Sequence, residues 1–118
     1  MSSTKSRYIP NKPFTALQWA IEKGDVSDIK ELLYGRHHVS GQDTDGDGNN
    51  ALHWLCNSYR LKKFSIEDVG MIIYWLIDRH VDVKHMNNYD KTPLDYAVEL
   101  KDATLVGLIA TGGVRKDC

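Results

Sequence analysis

The sequence predicts an all-α protein, a solenoid of stacked helix pairs, and three observations carry that prediction. A short pattern occurs three times: Thr15-Ala16-Leu17-Gln18-Trp19-Ala20, Asn50-Ala51-Leu52-His53-Trp54-Leu55 and Thr92-Pro93-Leu94-Asp95-Tyr96-Ala97. Copies of a pattern like this are followed by a second apolar stretch at helical spacing, as in Val26, Ile29, Leu32 and Leu33. The connections between units are rich in Gly and Asp, the residues that turns demand. Recurrence of one motif within 118 residues marks a repeat architecture, in which each unit buries its apolar face against the next.

Each element has a local reason. Residues 1–12 are polar and form a lead-in, and Phe14 precedes an N-cap at Thr15 as a hydrophobic staple would. The first inner helix is expected over Ala16 to Lys23, stopped by Gly24, and the first outer helix over Val26 to Tyr34, stopped by Gly35. The second inner helix begins at Ala51. Ser65 with Asp68 starts its outer helix in the manner of a capping box. The third pair is expected over Pro93 to Lys101 and Ala103 to Ala110, with Thr92 as N-cap, Pro93 in the first turn and Gly112-Gly113 as terminators. Residues 114–118 form a tail.

The motif spacing locates an irregularity. Leu17 to Leu52 is 35 residues, whereas Leu52 to Leu94 is 42. The surplus of the middle unit falls between its two helices, around Asn57 to Glu67, where Arg60, Lys62 and Lys63 interleave with Tyr59, Leu61 and Phe64. The expectation is a solvated loop with Leu61 and Phe64 packed down.

These motifs resemble the ankyrin repeat, whose pattern is T-P-L-H-x-A at a period of about 33 residues. No copy is complete: Asp95 stands for the His in the third, the second lacks Thr and Pro, and Gln18 replaces His in the first. The resemblance spans residues 13–113, divided as 13–38, 39–80 and 81–113. It implies β-hairpin fingers at about 35–49 and 83–91, a His53 that hydrogen-bonds between neighbouring repeats, and His80 at a turn position usually held by Gly. It also implies a non-enzymatic protein that binds a partner protein through its concave face and finger tips. The residues so assigned are Trp19, Glu22, Trp54, Asn57, Tyr96 and Glu99 on the inner-helix face. Asp45, Asp47, Asn49, Asn88, Tyr89 and Lys91 are the finger tips. Trp19, Trp54 and Tyr96 occupy one position in successive inner helices and form a row, a matter of inter-repeat packing or of an aromatic anchor surface. The diverged wording is similar to that of ankyrin proteins from intracellular bacteria or large viruses that act on host proteins.

Composition narrows the remaining classes. Fifteen Lys and Arg against sixteen Asp and Glu leave a formal net charge of −1, which provides no global field for nucleic acid. The mean hydropathy is −0.44, and the longest apolar run, Met71 to Ile77, is far short of a bilayer span. Two cysteines, Cys56 and Cys118, make no disulfide framework and fit a reducing compartment such as the cytoplasm. A monomer is expected.

The competing chemical signal is Asp43-Thr44-Asp45-Gly46-Asp47-Gly48, which places Asp43, Asp45 and Asp47 at the first Ca²⁺-ligand positions of an EF-hand loop. The position of the bidentate Glu is Trp54, and that of a usual apolar residue is Asn50. A Ca²⁺-stabilised binding module is therefore the alternative reading. His53 and Cys56 are spaced for zinc only as a pair. No nucleophile elbow, phosphate loop or dinucleotide fingerprint occurs, so no cofactor and no catalytic residue is assigned.

Overall fold

Among the described residues six helices form in sequence: α1 (Ala16–Lys23), α2 (Val26–Tyr34), α3 (Ala51–Arg60), α4 (Ile66–Asp78), α5 (Pro93–Glu99) and α6 (Ala103–Thr111). They are seen in a computed structural model that describes residues 16–36 and 41–114. The expectations for residues 1–12, Phe14, Thr15 and the tail beyond Val114 lie outside the described residues. Helices α1, α3 and α5 pack side by side as an inner layer; α2, α4 and α6 form an outer layer, with each inner helix packed on its own outer partner. The all-α solenoid expected from the motif is what forms.

The core lies between the layers. Leu17, Ile21, Ile29, Leu33, Leu52, Leu55, Ile72, Ile73, Leu76 and Leu105 are essentially inaccessible to water. Each buried side chain of this size contributes about 1.5–3 kcal/mol relative to exposure. Spacings of three and four residues bring them onto one face of each helix, as at Ile29 and Leu33 or Leu105 and Ile109. The outer layer is also tied by Tyr34, whose hydroxyl donates to the Asp78 carboxylate at 2.6 Å.

Helix ends repeat one device with different residues. Gly24, Lys62 and Lys101 close the inner helices in the left-handed region, at φ of 79°, 67° and 59°. At Gly24, Lys62 and His80 (φ 73°) the amide of the left-handed residue and the next amide both bond back into the last helical turn, a Schellman arrangement. His80 thus occupies the turn position where Gly is usual. Only Gly adopts this conformation without a Cβ penalty of roughly 1–2 kcal/mol. At Gly24 space demands it as well, because a Cβ would lie 2.8 Å from the carbonyl oxygen of Lys63.

Two expectations change. The surplus of the middle repeat is largely helix, not loop: α3 has 10 residues against 8 in α1 and 7 in α5, and α4 has 13 against 9 in α2 and α6. Phe64 packs down at 7% exposure, but Leu61 stays 50% exposed. The β-hairpin fingers do not appear as strands among the described residues. Each tip is closed by two backbone bonds, Asp45 N–H to Asn49 C=O with Gly48 N–H to Asp45 C=O, and Asn87 N–H to Lys91 C=O with Asp90 N–H to Asn87 C=O, all at 3.0 Å.

Candidate partner-binding groove

Side chains build the fingers where a ladder would otherwise do so. The Asp45 carboxylate accepts from the backbone amides of Asp47 and Asn49, both at 2.9 Å. Asn87 repeats this in the second finger, its Oδ1 accepting from the amides of Tyr89 at 2.8 Å and Lys91 at 3.1 Å. Each then reaches the inner helix nine residues on. Asp45 Oδ2 accepts from the Trp54 indole N–H at 3.0 Å, and Asn87 Nδ2 donates to the Tyr96 hydroxyl at 2.7 Å.

Capping fixes where each inner helix starts. Asn50 accepts from the amides of Leu52 and His53, while His53 Nδ1 accepts from the Asn50 amide at 3.0 Å. With Nδ1 accepting, Nε2 carries the proton and donates to the carbonyl of Lys91 at 2.8 Å. This is the inter-repeat bond expected of His53. In the third repeat Thr92 and Asp95 make the same reciprocal cap. Burial holds His53 below the ordinary histidine value; the Lys91 carbonyl opposes that shift and His85 adds to it.

The fingers also bond to one another. The Asn88 amide donates to Asp47 C=O at 2.9 Å, Asn88 Nδ2 to Gly46 C=O at 3.2 Å, Asn87 Nδ2 to Asn49 Oδ1 at 2.7 Å, and the Tyr89 hydroxyl to Asp47 at 3.3 Å. His85 Nε2 lies 2.9 Å from Gly48 C=O. The Asp47 carboxylate raises the Tyr89 hydroxyl above its ordinary pKa, by charge first and by its hydrogen bond second.

Between fingers and inner helices opens a groove of about 400 Å³. Of the residues expected to meet a partner, Glu22, Asp45, Asn49, Trp54, Asn57, Tyr96 and Glu99 line it. Of the two readings of the aromatic row, Trp54 takes the packing one: at 4% exposure with its N–H donated to Asp45 it is buried in the groove floor. Tyr96 is half-buried beside it, its ring edge-on to His53 at 5.3 Å. Glu22 accepts from Gln18 at 3.0 Å, and Glu99 pairs with the Lys91 ammonium. Trp19, Asp47, Asn88, Tyr89 and Lys91 lie outside the groove lining. Trp19 has the Lys23 ammonium 5.9 Å from its ring centre.

Asn87, Arg60, Cys56 and Leu100 carry weight that the motif did not assign. Asn87 could have been found from the 42-residue offset, which maps Asp45 onto it just as it maps Leu52 onto Leu94. Arg60 enters the groove from the extended end of α3, where Asn57 Oδ1 accepts from its Nη2 at 2.7 Å. Cys56 is buried in the groove floor, its thiol pushed up to about 12 by desolvation.

The three carboxylates of the Ca²⁺ reading do not assemble. Both Asp45 oxygens are occupied within the turn and by Trp54, and among the described residues no three His, Cys, Asp or Glu side chains form a metal-binding group. No helix of the described residues is long and apolar enough to cross a membrane.

A helix-pair solenoid with capped inner helices and finger turns defines a repeat protein whose surface is built by stacking. The sequence profile for ankyrin repeats, in three copies, matches residues 17–117, and the chain belongs to that family. Proteins of the family are generally protein–protein interaction modules without enzymatic activity. A comparison with curated protein sequences returns no match.

Proposed function

We propose that this protein binds a partner protein through the groove between its inner helices and its fingers. The observation that carries the reading is a preformed concavity whose walls are fixed by internal hydrogen bonds. Asp45, Asn87 and His53 hold the fingers and helix starts, so little surface has to be ordered on association. Half-buried Tyr96 offers aromatic area at the floor, and the rim offers Glu22, Asn57, Arg60 and Glu99 for polar contacts. Finger-tip Tyr89, 62% exposed, extends the contact surface outward.

The test must leave Trp54 in place, since its removal would destroy the floor. Affinity capture from cell lysate compares the native chain with an Asn57→Trp, Glu99→Lys, Tyr89→Ala variant of equal helicity and melting temperature. A protein retained by the native chain and lost by the variant is the expected result. An identical set of captured proteins from both chains would reject the groove as the binding site.

A further inference from the structure

The joined end of the middle repeat has a surface of its own. Caps and fingers register the starts of α3 and α5, so the extra residues of α3 lie at its far end. Three residues at 1.5 Å of rise carry it roughly 4.5 Å farther than α5 before the chain turns. Arg60, Leu61, Lys62 and Lys63 follow there in succession, and all four are exposed. The two ion pairs among the described residues, Lys23–Asp28 and Lys91–Glu99, involve none of them.

The tip is nevertheless rigid. Amides of Leu61, Lys62 and Lys63 bond back to Asn57, Tyr59 and Ser58 at 3.0, 2.9 and 2.9 Å. Phe64 is buried beneath, the Tyr59 hydroxyl donates to Asp102 at 2.8 Å, and the Lys63 backbone rests on the Gly24 turn. A leucine left 50% exposed on such a platform is not exposed through looseness. Lys62 also sits at φ 67°, where the first repeat uses Gly24. The fold would be eased by Gly at this point, yet a cation stands there.

We propose that this tip is a second docking surface, for an acidic protein segment that seats an apolar side chain on Leu61 with carboxylates against Arg60, Lys62 and Lys63. Charge complementarity selects an acidic partner. Single-stranded nucleic acid fits less well, because the tip presents no free aromatic face for a base: Phe64 is buried and Tyr59 is half-buried with its hydroxyl bound. A membrane surface fits less well again, since one leucine is too small an apolar face to insert. The surface adjoins the groove at Arg60, while Leu61, Lys62 and Lys63 lie outside the groove lining, so variants at those three residues test it apart from the groove reading.

The experiment is an NMR titration of the full ¹⁵N-labelled chain with a synthetic acidic peptide carrying a central leucine pair between glutamates. A counterpart with lysines in place of the glutamates serves as control. Expected are shifts concentrated at the amides of 60–64 with the acidic peptide alone, and an affinity about tenfold weaker at high than at low salt. Leu61→Ser and the Lys62→Glu, Lys63→Glu pair each reduce it several-fold or more. Tyr89→Ala at the finger tip, outside the groove lining, leaves it unchanged. Lys62→Gly raises the melting temperature while weakening the peptide, a split that a purely structural lysine would not give. Absence of shifts at millimolar acidic peptide, or equal shifts from the lysine peptide, overturns the proposal. Shifts at 60–64 from an RNA hairpin or phosphatidylserine vesicles but not from the peptide overturn it likewise. So does concentration-dependent self-association through 60–64 without peptide, which would make the acidic finger of a second copy the occupant.

Discussion

The junctions spanning 45–54 and 87–96 have the same construction with different residues. Both close a finger with one side chain that accepts from amides two and four residues on, and both send that side chain to an aromatic residue nine positions later. In the first, a carboxylate accepts from an indole N–H; in the second, an amide donates to a hydroxyl. The caps differ in the same way, with Asn50 and His53 on one side and Thr92 and Asp95 on the other. What the repeat preserves is geometry and a matched donor–acceptor pair. Identity can change when both partners change together.

The largest break in that equivalence is expected at Asn87, which is 4% exposed and makes four hydrogen bonds. Asn87→Ala leaves two partly buried amides and a partly buried hydroxyl without this partner, for a loss of about 1–3 kcal/mol. Urea unfolding should show a lower midpoint at unchanged slope.

Next in size is Asp45→Asn. It keeps an oxygen for the backbone amides but sets an NH₂ against the Trp54 N–H, where two donors face each other. The expected loss is about 1–2 kcal/mol. Urea melts would show the mismatch, and no loss would mean the indole bond is dispensable.

Acidification should separate the two caps. His53 titrates below its ordinary 6.5 in the folded chain, so below pH 6.5 the unfolded chain binds more protons. Stability is then full above pH 6.5 and falls as pH drops through the folded value. Asp95 is held below its ordinary 3.8, mainly by its hydrogen bond from the Thr92 amide, so its contribution is lost only as pH falls below 3.8. Denaturant unfolding across pH 7 to 3 should show the first decline, and His53→Gln should flatten it.

The smallest effect sharpens the comparison by adding stability. His80→Gly relieves a left-handed histidine and should gain about 0.5–1 kcal/mol, seen as a rise in melting temperature.

Helix positions were legible in the sequence because caps, glycines and apolar spacing all pointed one way: Ser65 and Thr92 cap the helices expected of them, and Asp25 and Asp102 add two caps that the motif did not assign. The groove was legible in part. Glu22, Asn57 and Glu99 follow from helical phase, but Trp54 turned inward because its polar atom meets Asp45, a contact between finger and helix. Asn87 is legible only through its 42-residue offset from Asp45, because the residue type differs and its bonds to Asn49 and Tyr96 form on folding. The middle repeat departs from expectation for a simpler reason: extra residues without Gly or Pro lengthen a helix as readily as they make a loop.

Cys56 gives the molecule an internal clock. Its sulfur faces the Pro93 carbonyl at 3.7 Å, between α3 and α5, at 2% exposure. With Cys118 replaced by Ser, alkylation at this thiol proceeds in proportion to the fraction of time the contact between the second and third repeats is open. The labelling rate, relative to that of a free thiol, therefore reports how much of the time one repeat lets go of the next, against the equilibrium for unfolding the whole chain.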